Sequence, residues 1–572
     1  MSSTTPQLPP LSSRFAEALP DLCAPWSPVP FSDDATLLLL NDSLAEELGF
    51  EPEWLRSGEG LRFLLGESHK GEAAWPQPVA QAYSGHQFGS FSPVLGDGRA
   101  VLLGEVAVDR GDGQTLLRDV HLKGSGRTPF SRGSSDGRAC LGPMLREYLV
   151  SEAMHAMGIP TTRALAVILT GETVMRQRPE PGAVLVRVAS SHLRVGSFQC
   201  ARMLHEKKPH VLEDLLQFAQ QRHPTESTAR NSAEAMTSVN GISTASDAGE
   251  VHSSSDALQL LDAVARRQAE LIARWMHVGF VHGVMNTDNV TISGETIDYG
   301  PCAFVDAFDP AACFSSIDSQ GRYALGNQPQ ITMWNLQRLA EALLPLIEDE
   351  QCTDTDGAVS QANEILLKYP GYFSNAWQSS IGAALGLENR DQQTDCGTVH
   401  GGEEHRIAGQ QAPLSPAQVE LIDDFIAQIS ESKADLLTTL HQLAVQLTAP
   451  PTSPGLLAMG LSADWLDRWH AQDPDPELML RTNPVRIPRN HLVEEALEAS
   501  YSGDHTPFED LLAAVTHPFD SWDDLSSLTS QNSSSGLTSQ KFSGKLTNKR
   551  FEHKYSAPAP ADFGPYTTHC GT

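Results

Sequence analysis

Between residues 94 and 190 short apolar runs alternate with glycine and proline, and only one segment has helical spacing. No other feature constrains the fold as strongly. AVLLGEVAV (100–108), LRDVHLKG (117–124), RALAVILTG (163–171) and AVLVRVAS (183–190) each read as a strand bounded by turn formers. Between the second and third lies GPMLREYLVSEAMHAMGIP. There Leu145, Leu149, Ala153 and Ala156 share one helical stripe, and Gly158 and Pro160 supply the stop. Beyond residue 200 the period lengthens. Leu260, Val264, Leu271 and Trp275 predict a helix over 256–277, and ITMWNLQRLAEALLPLIED predicts one over 330–348. Helical segments follow at 415–447 and 461–471. Strands around one helix, then a mainly helical remainder, define an α+β class.

A chain of 572 residues is long enough for several domains or one large bilobal unit. The leucine run LLLLNDSLAEELGF offers Asn41 or Asp42 as a helix N-cap. Residues 223–256 and 386–413 are polar and read as disordered insertions, and 525–550 is serine rich and reads as mobile. The net charge is −31, from 40 basic and 71 acidic residues, so no nucleic-acid partner is expected. No apolar run approaches the ~18 residues a membrane span needs, and the N-terminus lacks a secretory pattern. Eight cysteines without a CxxC pair suit a reducing cytoplasm and no zinc ribbon.

The chemistry concentrates in HGVMNTDNVTISGETIDYG, from His282 to Gly300, which sets Asp288, Asn289 and Asp298 within eleven residues. Magnesium takes hard oxygen ligands, commonly one or two from protein plus substrate phosphates. Protein kinases use a catalytic-loop Asn and the Asp of Asp-Phe-Gly in this way, and here the triplet is Asp298-Tyr299-Gly300. Asn289 follows His282 by seven residues, the His-to-Asn interval of the kinase signature. The kinase base would stand two after the histidine, where this chain has Val284. Valine accepts no proton, and the nearest carboxylate is Asp288. The bland alternative is a solvated loop in which Asn and Asp serve as turn formers. The apolar segments on both sides argue against it.

Lys123 ends an apolar strand, where a cleft lysine can meet phosphate, although a snorkelling edge lysine is the commoner case. Glu147 and Glu152 lie on the following helix, and Glu147, 24 residues on, suits a Lys–Glu pair. Gly96, Gly98 and Arg99 open a strand, and the glycine-rich, basic loop GSGRTPFSRGSSDGRA follows Lys123. Glycines let backbone N–H groups approach phosphate, and arginine brings a permanent planar charge. Arg187 and Arg194 flank a strand end in a chain short of positive charge; the bland reading is two surface ion pairs of little worth.

AQAYSGHQFG (80–89), GDGRA (96–100), LKGSGRTPFSR (122–132), DGRA (136–139), REYLVSEAMHAMGIPTTRAL (146–165), RVASSHLRVGSF (187–198), the His282 segment, QGRYALGNQP (320–329) and the terminal YTTHCGT resemble the selenoprotein O (SelO/YdiU) family. The resemblance implies a protein-kinase-like bilobal fold. It has a mostly β small lobe with one key helix, a mainly helical large lobe and family-specific extensions at both ends. On this chain the parts fall at 1–79 (N-terminal extension), 80–200 (small lobe), 201–525 (large lobe) and 526–572 (mobile stretch and cysteine tail). The implied activity is adenylylation: ATP binds flipped, and AMP passes to a Ser, Thr or Tyr hydroxyl of a protein. UMP transfer from UTP, with manganese, is also implied for bacterial members. By motif, Gly96, Gly98, Arg99, Asp136, Gly137, Arg187 and Arg194 would line the nucleotide pocket. Lys123, paired with Glu147, would bind phosphate. Asp288 would accept the proton, and Asn289 and Asp298 would hold Mg²⁺ or Mn²⁺. The loop before Asp136 is one residue longer than the family's usual form, and the tail carries Cys570 rather than selenocysteine. A redox link between Cys313 and Cys570 is a further expectation. Two alternatives stay open. A small-molecule kinase should carry Asp at position 284. A nucleotide-binding pseudokinase would not need the full set of Lys, Glu, Asn and Asp.

Overall fold

The computed structural model describes residues 11–67, 75–109, 115–224, 255–351, 353–387, 413–448, 455–519 and 554–569. Most of the expected insertions at 223–256 and 386–413, and the serine-rich 525–550, lie outside these described residues, as does Cys570.

The strands in chain order are β1 (Leu11–Ser12), β2 (Cys23–Pro25), β3 (Thr36–Leu40), β4 (Val79–Gln81), β5 (Gly85–Gln87), β6 (Ser90–Ser92), β7 (Ala100–Asp109), β8 (Thr115–Lys123), β9 (Arg163–Met175), β10 (Pro179–Ala189), β11 (Phe280–Val281) and β12 (Ala303–Phe304). One antiparallel sheet runs β2-β4-β7-β8-β10-β9-β3, with β1 added beside β7. Three of its strands come from the first 40 residues, so the N-terminal segment is built into the sheet. The four strands read from sequence are all present, with β9 and β10 extended into a hairpin.

Both sheet faces are covered, which is why the strands read as continuous apolar runs rather than strict alternation. Val101, Val120, Leu122, Val184 and Val186 pack with Leu44, Phe50, Leu55 and Phe63 of the N-terminal segment. Leu185 and Ala183 pack with Leu145 and Leu149 of the Leu141–Ala156 helix. Because side chains alternate along a strand, Asp119, His121 and Lys123 of β8 share the helix-facing side. Lys123 stands opposite Leu185, and His121 opposite Arg187.

Asn41 caps the Asp42–Glu47 helix, accepting from the Leu44 amide at 3.1 Å. The Asp256–His277 helix, capped by Ser255, packs its Leu260, Leu261 and Val264 against Leu336, Leu339 and Leu343 of the Gln328–Gln351 helix. It delivers the chain into β11, which pairs with β12 on the far side of the acidic cluster. The 415–447 expectation of one helical stretch is corrected: Lys433 adopts φ +52° and separates Pro416–Ser432 from Leu436–Thr448. The left-handed turn satisfies helix-end carbonyls without a glycine to announce it. Near the C-terminus, the Thr568 amide donates to Phe314 O at 2.8 Å and its carbonyl accepts from Ser316 N at 2.9 Å. Among the described residues no helix is long and apolar enough to cross a membrane.

Candidate functional site

The end of β8 and the helix behind it meet the His282–Gly300 segment. The Lys123 ammonium donates to Glu147 and, at 2.9 Å, to Asp298 Oδ1. Glu147 accepts from Arg187 Nη1 at 3.1 Å through its other oxygen. The pairing expected between Lys123 and Glu147 is therefore present, while Glu152 binds Arg163 and Asn41 instead. Burial alone would raise the Asp298 carboxyl. The Lys123 charge and hydrogen bond, with Arg99 and Arg187, outweigh it and hold Asp298 well below the usual carboxylate range. Asp298 has φ +68°, a left-handed backbone that non-glycine residues seldom adopt and that tends to mark functional sites.

Behind this layer runs a buried network that the sequence did not announce. His121 Nε2 lies 3.0 Å from Asp97 Oδ2, and its Nδ1 lies 3.3 Å from Arg187 Nη2. Arginine only donates, so Nδ1 accepts and Nε2–H donates to Asp97. The His121 ring stacks on His192 at 4.2 Å, and His192 Nδ1 lies 3.0 Å from Asp119 Oδ2. Burial lowers both histidines against the pull of their carboxylates, so both are neutral near pH 7. Arg194 stacks over Tyr83 at 4.4 Å and donates to the Asp288 carbonyl at 3.0 Å. Arg187 Nε, Arg194 Nη2 and Gln81 Nε2 are buried without a hydrogen-bond partner among the described residues. Buried cationic donors left unsatisfied suit an anionic ligand.

The Gly96–Arg99 turn packs tightly. Gly96 has φ +123°, and a Cβ there would lie 2.6 Å from the Phe130 ring. Asp97 N donates to Gln81 O at 2.9 Å and Gly98 N to Gly96 O at 2.7 Å, so these amides already bond to protein oxygens. Arg99 is half-buried and close enough to act electrostatically on Asp298.

In the His282 segment, His282 is buried, stacks on Trp275 and lies 2.9 Å from Ile297 O through Nε2. Val284 is also buried, so no proton acceptor occupies that position. Asn289 donates through Nδ2 to Val284 O at 3.0 Å, which leaves its Oδ1 to serve as an oxygen ligand. Burial pushes the Asp288 carboxyl up, with Arg194 and Arg132 offsetting only part. A cation bound beside it would act in the opposite sense and lower it.

The β5–β6 hairpin covers Asp288. Gln87 Nε2 donates to Asp288 Oδ1 at 2.7 Å, His86 N to Thr287 Oγ1 at 2.7 Å and Phe88 N to Asn286 Oδ1 at 3.0 Å. Gln87, Asp97, His121 and His192 were not singled out from sequence, although each sits inside a string that was. Asp136 is not brought to the Lys123 cluster by any hydrogen bond or ion pair among the described residues. Its carboxylate pairs with Arg176 at 2.9 Å on the exterior. Gly137, at φ +69°, lets its backbone cross Gly126; a Cβ would lie 2.2 Å from the Gly126 carbonyl carbon.

No group of three or more His, Cys, Asp or Glu among the described residues could hold a metal by itself. One carboxylate and one amide oxygen, from Asp298 and Asn289, fit a hard divalent ion that takes its other ligands from phosphate and water.

The protein nucleotidyltransferase YdiU of Mycolicibacterium smegmatis is 45% identical to this chain over 575 residues, covering 100% of both. Proteins of the same name from Pseudarthrobacter chlorophenolicus and Rhodococcus jostii are 46% and 44% identical, over 98% and 91% of each chain. Likeness of this extent, joined to the lysine–carboxylate site, makes the chain an enzyme of the nucleotidyltransferase class. Residues 26–516 match the family described as protein adenylyltransferase SelO, and the chain belongs to that family. The resemblance carried by the sequence strings is thereby borne out.

Proposed function

We propose that this enzyme, with a kinase-like bilobal architecture, transfers AMP from ATP, or UMP from UTP, to Ser, Thr or Tyr hydroxyls of proteins in the cytoplasm. The acceptor oxygen forms a bond to the α-phosphorus, the α–β phosphoanhydride bond breaks, and pyrophosphate leaves with the electron pair. The observation that carries this reading is the pairing of Lys123 with both Glu147 and Asp298 in a site where position 284 is a buried valine. Phosphate-handling groups are kept while the usual γ-transfer base is gone, which suits attack at a different phosphorus.

Lys123, Arg99, Arg187 and Arg194 hold the triphosphate and steady charge on departing pyrophosphate. Gly96, Gly98, Asp136 and Gly137 shape the surrounding loops. Asn289 and Asp298 hold Mg²⁺ or Mn²⁺, which supplies charge neutralisation at phosphate oxygens when bound. Asp288, raised by burial, orients the acceptor hydroxyl and takes its proton. Intact-mass analysis of an acceptor protein incubated with ATP and Mn²⁺ tests the reading. An AMP adduct is expected, and a phosphate adduct would overturn it.

A further inference from the structure

Gln87 turns toward Asp288, so by strand alternation His86 turns the other way. It meets a cluster to which the catalytic chemistry assigns no role. The His86 ring lies 5.0 Å from Phe91, which is 45% exposed, and 5.1 Å edge-on from Trp334. The guanidinium groups of Arg322 and Arg338 lie 4.9 Å and 5.0 Å from the Trp334 ring. Among the described residues neither arginine's buried Nε has a hydrogen-bond partner. Asp318, four residues before Arg322, is turned to the backbone amides of Arg322 and Tyr323 at 2.9 and 2.8 Å. Among the described residues Arg338 pairs with the Glu341 carboxylate at 2.5 Å.

This surface adjoins the acceptor side of the site. The Tyr323 hydroxyl donates to Asn286 Oδ1 at 2.6 Å, and the same oxygen receives the Phe88 amide. Arg322 is thus tied through its neighbour to the segment that carries Asp288. Stacking on an indole holds a guanidinium plane in place and leaves N–H edges for carboxylates. The whole protein carries −31 and repels acidic partners at long range, so two arginines sharing one tryptophan form a local exception.

We propose that Arg322, Trp334 and Arg338, with His86 and Phe91, dock an acidic segment of the acceptor protein beside the hydroxyl that is modified. This deepens the transfer reading above and rests on it for the identity of the docked chain. Preferred acceptors then carry Asp or Glu near the reacting Ser, Thr or Tyr.

The test uses two fluorescent peptides with one central serine, flanked by glutamates in one and by lysines in the other. Their binding to the full chain is followed by anisotropy with ATP and Mn²⁺ present, and AMP incorporation is scored separately by mass. The acidic peptide is expected to bind about tenfold more tightly, against the sign of the overall charge. The double variant Arg322→Glu/Arg338→Glu should reverse the order, and the milder Arg322→Gln/Arg338→Gln should abolish the difference. Equal or tighter binding of the lysine peptide by the unaltered protein, or a preference untouched by both variants, overturns the docking proposal. Charge-selective binding with no AMP on either peptide supports docking and counts against the transfer reading alone. Charge-blind binding with AMP incorporation does the reverse.

Discussion

Gln87 donates its side-chain amide to Asp288 Oδ1 at 2.7 Å across 201 residues of sequence, and Arg132 Nη1 reaches Gln87 Oε1 at 3.4 Å. One carboxylate oxygen is thereby fixed; in the proposed reaction the other meets the acceptor hydroxyl. Gln87→Ala should lower kcat by about 10- to 100-fold with a smaller change in KM for ATP. Gln87→Glu should be worse, because it sets a like charge beside Asp288. Steady-state transfer measured at varied ATP checks this, and an unchanged kcat in both variants would remove Gln87 from the site.

Asp298 is held by Lys123, and Lys123 keeps Glu147 when Asp298 is lost. Asp298→Ala should therefore leave the protein folded while transfer falls by about 10³-fold or more. Lys123→Met should weaken both, with stability lowered by ~1–3 kcal/mol, since Glu147 and Asp298 lose a charged donor. Urea denaturation beside the transfer assay separates the two effects.

The stacked pair of His121 and His192 makes stability depend on pH. Both are lowered in the folded protein, whereas unfolded histidine titrates near 6.5. Below that pH the unfolded chain binds more protons, so the contribution is present above pH 6.5 and is lost as pH falls. Asp97 and Asp119, also lowered, act only below about pH 4. Glu105, raised by burial to about 7, opposes this in the same window, so the pair's part is read as the difference between the native protein and a histidine variant from pH 7.5 to 5, about 1.4 kcal/mol for each unit of depression. His192→Gln should flatten that dependence; a slope unchanged from the native protein would contradict the assignment.

Gly137 and Asp136 separate two possible roles of their loop. Gly137→Ala puts a Cβ against Gly126 in a left-handed backbone and should cost ~1–3 kcal/mol. Arg176→Ala removes the exterior pair with Asp136 and a 2.8 Å hydrogen bond to the Arg138 carbonyl, and should cost ~1 kcal/mol or less. Denaturation midpoints of the two variants check the contrast.

Lys123 and Glu147 were legible because each stands at the end or on the face of an element whose period is plain, and Asp298 from the Asp-Tyr-Gly triplet rather than from any period. His121 and His192 were not. Each reads as an ordinary residue in its own string, and only the β8–β10 register and the turn after β10 bring their rings to 4.2 Å. The β5–β6 hairpin has strands too short to show alternation, so the contact from Gln87 to Asp288 carried no local signal. The helix break at Lys433 went unseen because neither glycine nor proline marks it. Asp136 was placed by motif alone, and motif order does not report that Arg176 holds its carboxylate outside the cluster.

The central claim is that the acceptor attacks the α-phosphorus. The direct measurement is protein labelling with ATP carrying radiolabel at either the α- or the γ-phosphate, with Mn²⁺ present and Asp298→Ala as the control. Label is predicted in protein from the α-position alone, and it should vanish in the variant. Incorporation from the γ-position would contradict the account and make this a kinase despite Val284.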